Sequence, residues 1–204
     1  METVPGRPTD ETDGPRQDKR SLIMDRALEL FARRGYDAVG VQEIAICSGV
    51  TKPTLYHYYE SKLGLLNAVV RDRGAPLASG WKSACRYDGD VKRSLERIAF
   101  FLSGFARGDP VFYRFLLSLH FAPAESDSRG AAAALLGSMQ DALAGTFESA
   151  QGLMGNMNGR QGLFAASFLG LLNTWIALDL NGRVKLDDAL TRSVVKQFMH
   201  GIFS

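Results

Sequence analysis

Hydrophobic side chains recur at helical spacing over most of the chain. In the first such stretch Ile23, Ala27 and Phe31 fall on one side of a helix, which ends in two arginines and Gly35. The same spacing predicts eight further helices, near 41–49, 51–58, 61 into the seventies, 89–107, 110–122, 129–151, 160–180 and 187–203. No stretch alternates in the way a strand does, so we expect an all-α protein of about nine helices.

The pattern also divides the chain. Residues 1–17 contain three prolines and almost no apolar side chains, which predicts a flexible tail because such a segment cannot offset the entropy of ordering. The short helices in residues 18–64 form a predicted three-helix head. The longer helices of residues 65–204 form a C-terminal helical bundle.

Two short helices joined by a glycine turn follow the first helix, which is the layout of a helix-turn-helix. Counting from Val41, the small residue Ala45 is fifth, where the helices cross, and Gly49 is ninth, where the turn requires a positive φ. Val50 and Leu55 are tenth and fifteenth, where the second helix packs inward. A recognition helix about 10 Å long enters a major groove. Its candidate DNA-contacting residues are Thr51, Lys52, Pro53, Thr54, Tyr56, His57 and Tyr58.

Basic residues outside the recognition helix add candidate contacts. Lys62 stands in the first turn of the fourth helix, where a cation opposes the helix dipole, and a docked phosphate would explain it. Lys19 and Arg20, with Arg16, form a candidate basic arm at the first helix. The net charge of +2 does not itself indicate a nucleic-acid partner, so this prediction depends on local arrangement.

The segments ALELFARRGY and VQEIAICSGVTKPTLYHYYESK resemble the DNA-binding domain of the TetR family of bacterial transcriptional regulators, over about 45 residues from Ile23. The resemblance implies a homodimeric regulator, usually a repressor, on a palindromic double-stranded DNA operator. It also implies base contacts from the Lys52–Thr54 segment and Tyr56, and phosphate contacts from Thr51, His57, Tyr58 and Lys62. Four positions depart from the family pattern. Gly40 replaces a capping threonine and Ser48 an alanine. Tyr58 replaces a histidine, and Tyr59, which we expect to pack inward, replaces a phenylalanine.

The family resemblance implies a small-molecule effector, apolar or aromatic, in a cavity of residues 65–204, which form the ligand-binding and dimerisation domain. Aromatic residues crowd this part of the chain, and the competing interpretation is that most of them form a dense core. The candidate ligand-binding residues are Phe101, Phe105, Phe112, Phe115, Leu116, His120, Phe147, Phe168 and Trp175.

The last two helices are apolar around most of their circumference, which predicts that a second copy covers them in a four-helix dimer interface. Gly162, Ala166 and Gly170, four residues apart, permit close helix approach. A monomeric core helix is the alternative. Residues 162–178 fall short of the roughly 20 apolar residues of a bilayer span, so we interpret them as a buried helix and expect no membrane partner.

The sequence contains no motif of a nucleophilic, phosphate-binding or zinc site, so we expect no catalytic residue, metal or cofactor. Cys47 and Cys85, in a chain without signal-peptide features, favour a cytoplasmic location. Cys47 is predicted to be a buried small residue, and Cys85 the more reactive thiol. The alternative function is a helical small-molecule-binding or enzymatic protein whose head does not bind DNA specifically.

Overall fold

The computed structural model describes residues 14–150 and 159–201, and in these ranges the chain forms nine α-helices and no strand. The all-α prediction is therefore confirmed. The helices are α1 (Gly14–Arg34), α2 (Val41–Cys47), α3 (Lys52–Tyr59), α4 (Lys62–Ala84), α5 (Val91–Gly108), α6 (Pro110–His120), α7 (Asp127–Ser149), α8 (Gln161–Leu180) and α9 (Asp188–His200).

The ends of the predicted helices need small corrections. Helix α1 begins at Gly14, so residues 14–17 of the predicted tail are helical, while the rest of that tail lies outside the described residues. Residues 151 and 202–203, at the ends of two predicted helices, also lie outside them. The predicted starts of α3, α4 and α6 are confirmed by their caps. The side chains of Thr51, Ser61 and Asp109 accept hydrogen bonds from backbone N–H groups, with N···O distances of 3.3, 2.9 and 3.1 Å, respectively.

Helix α4 extends past its predicted end in the seventies, through Pro76, to Ala84. It continues because Leu77 and Trp81 are buried, and the Trp81 indole donates a hydrogen bond of 2.9 Å to the Met139 carbonyl. A Cβ added at Gly80 would lie 2.3 Å from Cε2 of Phe101 on α5. This glycine therefore permits close helix packing instead of ending the helix.

The head and the bundle share one continuous core. Helices α1 to α3 enclose Ile23, Ile44 and Leu55, all of which are fully buried. Phe31 of α1 stacks on Phe115 of α6 with 5.9 Å between ring centroids. The head therefore rests on α6 as well as being continuous with α4.

Helix α8 is not buried in the way the sequence predicts. Only Ala165, Phe168, Leu172 and Ile176 are buried, and 22% of its most apolar window lies inside the chain. In a single copy the prediction of a buried helix is therefore wrong. With a mean hydropathy of 1.6 over that window, α8 is the one described helix that is long and apolar enough to cross a membrane. This is weak evidence for a membrane span, because core helices of soluble proteins meet the same test.

The two cysteines have the opposite environments to those predicted. Cys47 is exposed, because Ile44, Ala45 and Ser48 occupy the inward side of α2. Cys85 follows α4 and is buried, and burial raises the pKa of its thiol to about 12. Cys85 is therefore the less reactive thiol.

Gly80→Ala should destabilise the protein by about 1–3 kcal/mol, because the added methyl group overlaps the Phe101 ring. Urea unfolding provides the measurement. The control is Gly104→Ala in α5, where an added Cβ meets nothing within 4 Å, and that change should stabilise the protein by about 0.5–1 kcal/mol. Equal effects of the two substitutions would contradict the tight α4–α5 packing.

Candidate nucleic-acid interface and effector groove

Helix α3 has one buried side and one exposed side. Leu55 and Tyr59 are buried, whereas Tyr56 is 43% exposed. The predicted DNA-contacting residues all lie on the head or at the start of α4. Lys19, Thr51, Lys52, Pro53, Tyr56 and His57 are exposed, and Arg20, Thr54, Tyr58 and Lys62 are partly exposed. The side chain of Arg16 lies outside the described part of the chain.

The two threonines at the start of α3 are joined by their side chains. The Thr51 hydroxyl accepts the Thr54 N–H at 3.3 Å, and the two hydroxyl oxygens are 2.9 Å apart. One hydroxyl hydrogen is therefore used within the helix start, and the other remains for an outside acceptor.

The ammonium of Lys62 is held beside the turn that leads into α2. It lies 4.1 Å from the centre of the Tyr36 ring and donates a hydrogen bond of 3.5 Å to the Asp37 carbonyl. Partial burial lowers the pKa of Lys62. To contact a phosphate here, the Lys62 ammonium must divide its interactions between the phosphate, the Tyr36 ring and the Asp37 carbonyl.

Tyr59 connects the end of α3 to α1. Its hydroxyl donates a hydrogen bond of 2.6 Å to the Arg20 carbonyl, and burial raises its pKa to about 12, so it remains a donor. The Arg20 guanidinium lies 5.8 Å from the Tyr59 ring centre and 3.6 Å from the Asp72 carboxylate in α4. The inward packing predicted for Tyr59 is confirmed, but its bond to residue 20 could not be predicted from local spacing.

Gly40, the departure at the start of α2, provides no side-chain cap. Its φ of −89° is ordinary extended backbone, and an added Cβ would meet nothing within 4 Å. The glycine is therefore not required sterically.

A groove of about 760 Å³ lies between α6, α7 and α8. Apolar side chains of Leu117, Leu136 and Leu169 line it. Alanine and glycine residues in the lining leave it wide because their side chains are small or absent. Polar groups lie on His120, Arg129, Gln140, Asn173 and Thr174, and no acidic residue of the described chain lines it. The groove has the size of a small-molecule site.

Of the nine predicted ligand-binding residues, His120 alone lines this groove. The others lie elsewhere, and their role in binding stays a prediction. Phe112, Phe115, Leu116, Phe147 and Phe168 are buried, and Phe101, Phe105 and Trp175 are partly buried against the same core.

Sequence reasoning missed the small residues of the groove on α7, together with Arg129. Ala133 and Gly137 are four residues apart, as are Ala166 and Gly170 on α8. Two facing stripes at this spacing are the signal that the sequence offered. Neither stripe identifies its partner helix, because helix pairing depends on the tertiary structure.

Residues 23–69 match the family model of bacterial regulatory proteins of the tetR family. These residues form an N-terminal domain of the TetR family. It is 36% identical over 102 residues to the transcriptional activator FasR of Mycolicibacterium smegmatis, covering 50% of this chain and 47% of that protein. It is 36% identical over 64 residues to the transcriptional repressor KstR2 of Rhodococcus jostii, covering 31% of each protein. The matched segments thus span about half or less of these relatives.

Solved structures show that the chain shares its fold with proteins described as regulators. FadR of Bacillus subtilis, in complex with stearoyl-CoA, aligns over 89% of this chain and 98% of that one, with a TM-score of 0.72 and 20% identity. A fatty acid metabolism regulator of Clostridium perfringens aligns over 90% and 99%, with a TM-score of 0.77 and 17% identity. At these identities the likeness concerns the fold.

Tyr59→Phe should lower the free energy of unfolding by about 1 kcal/mol, because only the bond to the Arg20 carbonyl is lost. Denaturant unfolding measures the difference. It should shrink as pH rises from 10 towards 12, because the wild-type tyrosine ionises first in the unfolded chain. The control is Tyr56→Phe on the exposed side of α3, which should change little. Equal losses would contradict a specific role for the Tyr59 hydroxyl.

Proposed function

We propose that the protein is a ligand-responsive transcriptional regulator, with repression as its mode, that binds a palindromic DNA operator as a homodimer. The main support is α3, which buries Leu55 and Tyr59 and leaves Lys52, Pro53 and Tyr56 exposed. An eight-residue helix about 12 Å long fits a major groove. The N-terminal domain of the TetR family supports the same function.

The exposed side of α3 supports a division between base and phosphate contacts. Lys52 is suited to guanine acceptors, and Pro53 and Thr54 to a thymine methyl group. Thr51, His57, Tyr58 and Lys62 are suited to phosphate oxygens, which position the helix without specifying sequence. Lys19 and Arg20 add basic groups at α1, although Arg20 already pairs with Asp72.

The exposed part of α8 supports a homodimer. Gly162, Ala166 and Gly170 are exposed along one side of the helix, and no charged residue occurs between Gln161 and Leu178. A second copy that packs α8 and α9 against their equivalents removes this apolar surface from water. Two recognition helices then address half-sites about 34 Å apart.

Contacts between α6 and α1 support coupling of the groove to the head. Helix α6 lines the groove through Leu117 and His120 and stacks Phe115 on Phe31 of α1. Arg73 of α4 pairs with Asp25 of α1 and, at 3.5 Å, with Asp109 at the start of α6. A ligand that binds one arrangement better than the other shifts DNA affinity by typically about 5- to 150-fold.

The proposed effector is an apolar or aromatic small molecule, bound in the groove. Apolar walls and a volume of about 760 Å³ support this class. The stearoyl-CoA held by FadR, which shares the fold, supports a ligand with a hydrocarbon chain.

A mobility-shift assay on DNA flanking the protein's own gene, at fixed salt, tests the function. The wild type should bind specifically, and Lys52→Ala and Tyr56→Ala should each weaken binding about 5- to 150-fold through lost contacts. Arg86→Ala, an exposed position after α4, is the control and should bind normally. Absence of specific binding by the wild type would favour the alternative, a helical small-molecule-binding or enzymatic protein.

Gly170→Arg should convert the dimer into a monomer, because it places a charge at the centre of the apolar side of α8. Sedimentation velocity measures the mass. Gly104→Arg in α5 is the matched control, since both glycines are exposed with nothing within 4 Å of an added Cβ. A monomeric wild type, or a dimeric Gly170→Arg protein, would refute the proposed interface.

A further inference from the structure

The charge of the groove is confined to one end. His120, Phe121 and Arg129 come from the end of α6 and the start of α7, whereas Leu136, Leu169 and Ala166 lie further along α7 and α8. Arg129 is the one permanently charged side chain in the lining, and no Asp or Glu of the described chain lines the groove with it. One end of the groove is therefore cationic, and the remainder combines apolar side chains with the uncharged polar side chains of Gln140, Asn173 and Thr174.

We propose that the effector is an amphiphile whose anionic head, a carboxylate or a phosphate, binds Arg129 and whose hydrocarbon body occupies the apolar part of the groove. This inference rests on the proposed effector site and specifies the ligand class. Charge complementarity selects the head, because an apolar site with an uncompensated arginine favours a negatively charged group over a neutral or cationic one.

The arginine is held in position before a ligand binds. Its Nη1 donates to the His120 carbonyl at 3.0 Å and to the Ala122 carbonyl at 3.2 Å. In the described structure these bonds use one nitrogen of the guanidinium. The edge formed by Nε and Nη2 is left for a bidentate pair with a carboxylate or phosphate. A group that is already oriented loses less entropy on binding.

A second polar group lies along the apolar part. The Tyr113 hydroxyl donates a hydrogen bond of 2.7 Å to Oδ1 of Asn173, which lines the groove. This bond occupies the amide oxygen and leaves the NH₂ group as a donor. Arg129 and Asn173 thus both present donors, which suits a ligand whose polar atoms are acceptors.

The position of Arg129 connects the head of the ligand to α6. The carbonyls that it binds belong to the last residue of α6 and to the segment that follows it. An anion that binds the same guanidinium shares it with these carbonyls and so affects the end of α6, the helix that packs against α1. Binding of the head group is therefore placed where it can bias the DNA-binding head.

Thermal unfolding with four amphiphiles of equal chain length provides the test: dodecanoate, dodecyl phosphate, dodecanol and dodecyltrimethylammonium. Dodecanoate and dodecyl phosphate should raise the melting temperature in a saturable way, and their comparison distinguishes a carboxylate from a phosphate head. Dodecanol should bind about 10- to 100-fold more weakly, because it lacks the charge. Equal affinity for dodecanol and both anions, or preference for the cation, would overturn the proposal.

Substitutions at Arg129 test whether this residue binds the anionic head. Arg129→Gln should lose about 10- to 100-fold in affinity for the anionic amphiphiles, Arg129→Lys should lose less, and Arg86→Gln, a surface arginine outside the lining, should bind as the wild type does. Melting temperatures without ligand show whether each variant is folded. Unchanged affinity in a folded Arg129→Gln or Arg129→Lys protein would exclude Arg129 as the anion site.

Operator binding, measured on the same proteins without amphiphile, separates this inference from the proposed function. Specific DNA binding without anion-selective amphiphile binding would refute the ligand class alone. Anion-selective binding without DNA binding would refute the regulator and retain the site. Release of the operator by dodecanoate from the wild type, with a weaker response in Arg129→Gln, is the expected combined result.

Discussion

The packing of α4 is the constraint on which the rest of the structure depends. This helix begins at Lys62 in the head and ends at Ala84 in the bundle, so its position sets the relation between the two parts. Tight contacts fix that position. Trp81 is buried and bonded to the Met139 carbonyl of α7, and the missing side chain at Gly80 leaves room for the Phe101 ring of α5. Close packing transmits a displacement because it leaves no gap that could absorb one.

A second connection joins α6 to α1, and the free energies of its contacts show which of them matters most. The ion pairs of Arg73 are visible in the structure, but the side chains of Arg73 and Asp25 are 38% and 45% exposed, and such pairs contribute about 0–1 kcal/mol. The stacked rings of Phe31 and Phe115 are almost fully buried and contribute more through the area removed from water. Packing of α6 on α1 is therefore the main mechanical link, and the ion pairs orient it.

The head could be predicted from the sequence in more detail than the groove, for a physical reason. Positive φ at Gly49, the Thr51 cap and the inward side of Leu55 and Tyr59 are local requirements that a short motif displays. The lining of a groove depends on which helices pair. Eight of the nine predicted ligand-binding residues lie in or against the core, and their role in binding stays a prediction. The errors at the cysteines and at the end of α4 have the same origin. Burial at one helix position, and tolerance of glycine and proline within a helix, are decided by distant neighbours.

Helix α8 belongs to both the proposed dimer interface and the proposed effector site. Its exposed small residues Ala166 and Gly170 line the groove and also lie on the surface proposed for the second copy. Apolar area left in water is unfavourable by roughly 25 cal/mol per Å², so burial of this surface by another molecule is favourable. In the proposed dimer, the second copy on α8 lies next to the open side of the groove and reduces the contact of the proposed ligand with water. The proposed ligand and the proposed second copy therefore share one surface, and by linkage the factor by which the ligand changes dimer affinity equals the factor by which the second copy changes ligand affinity.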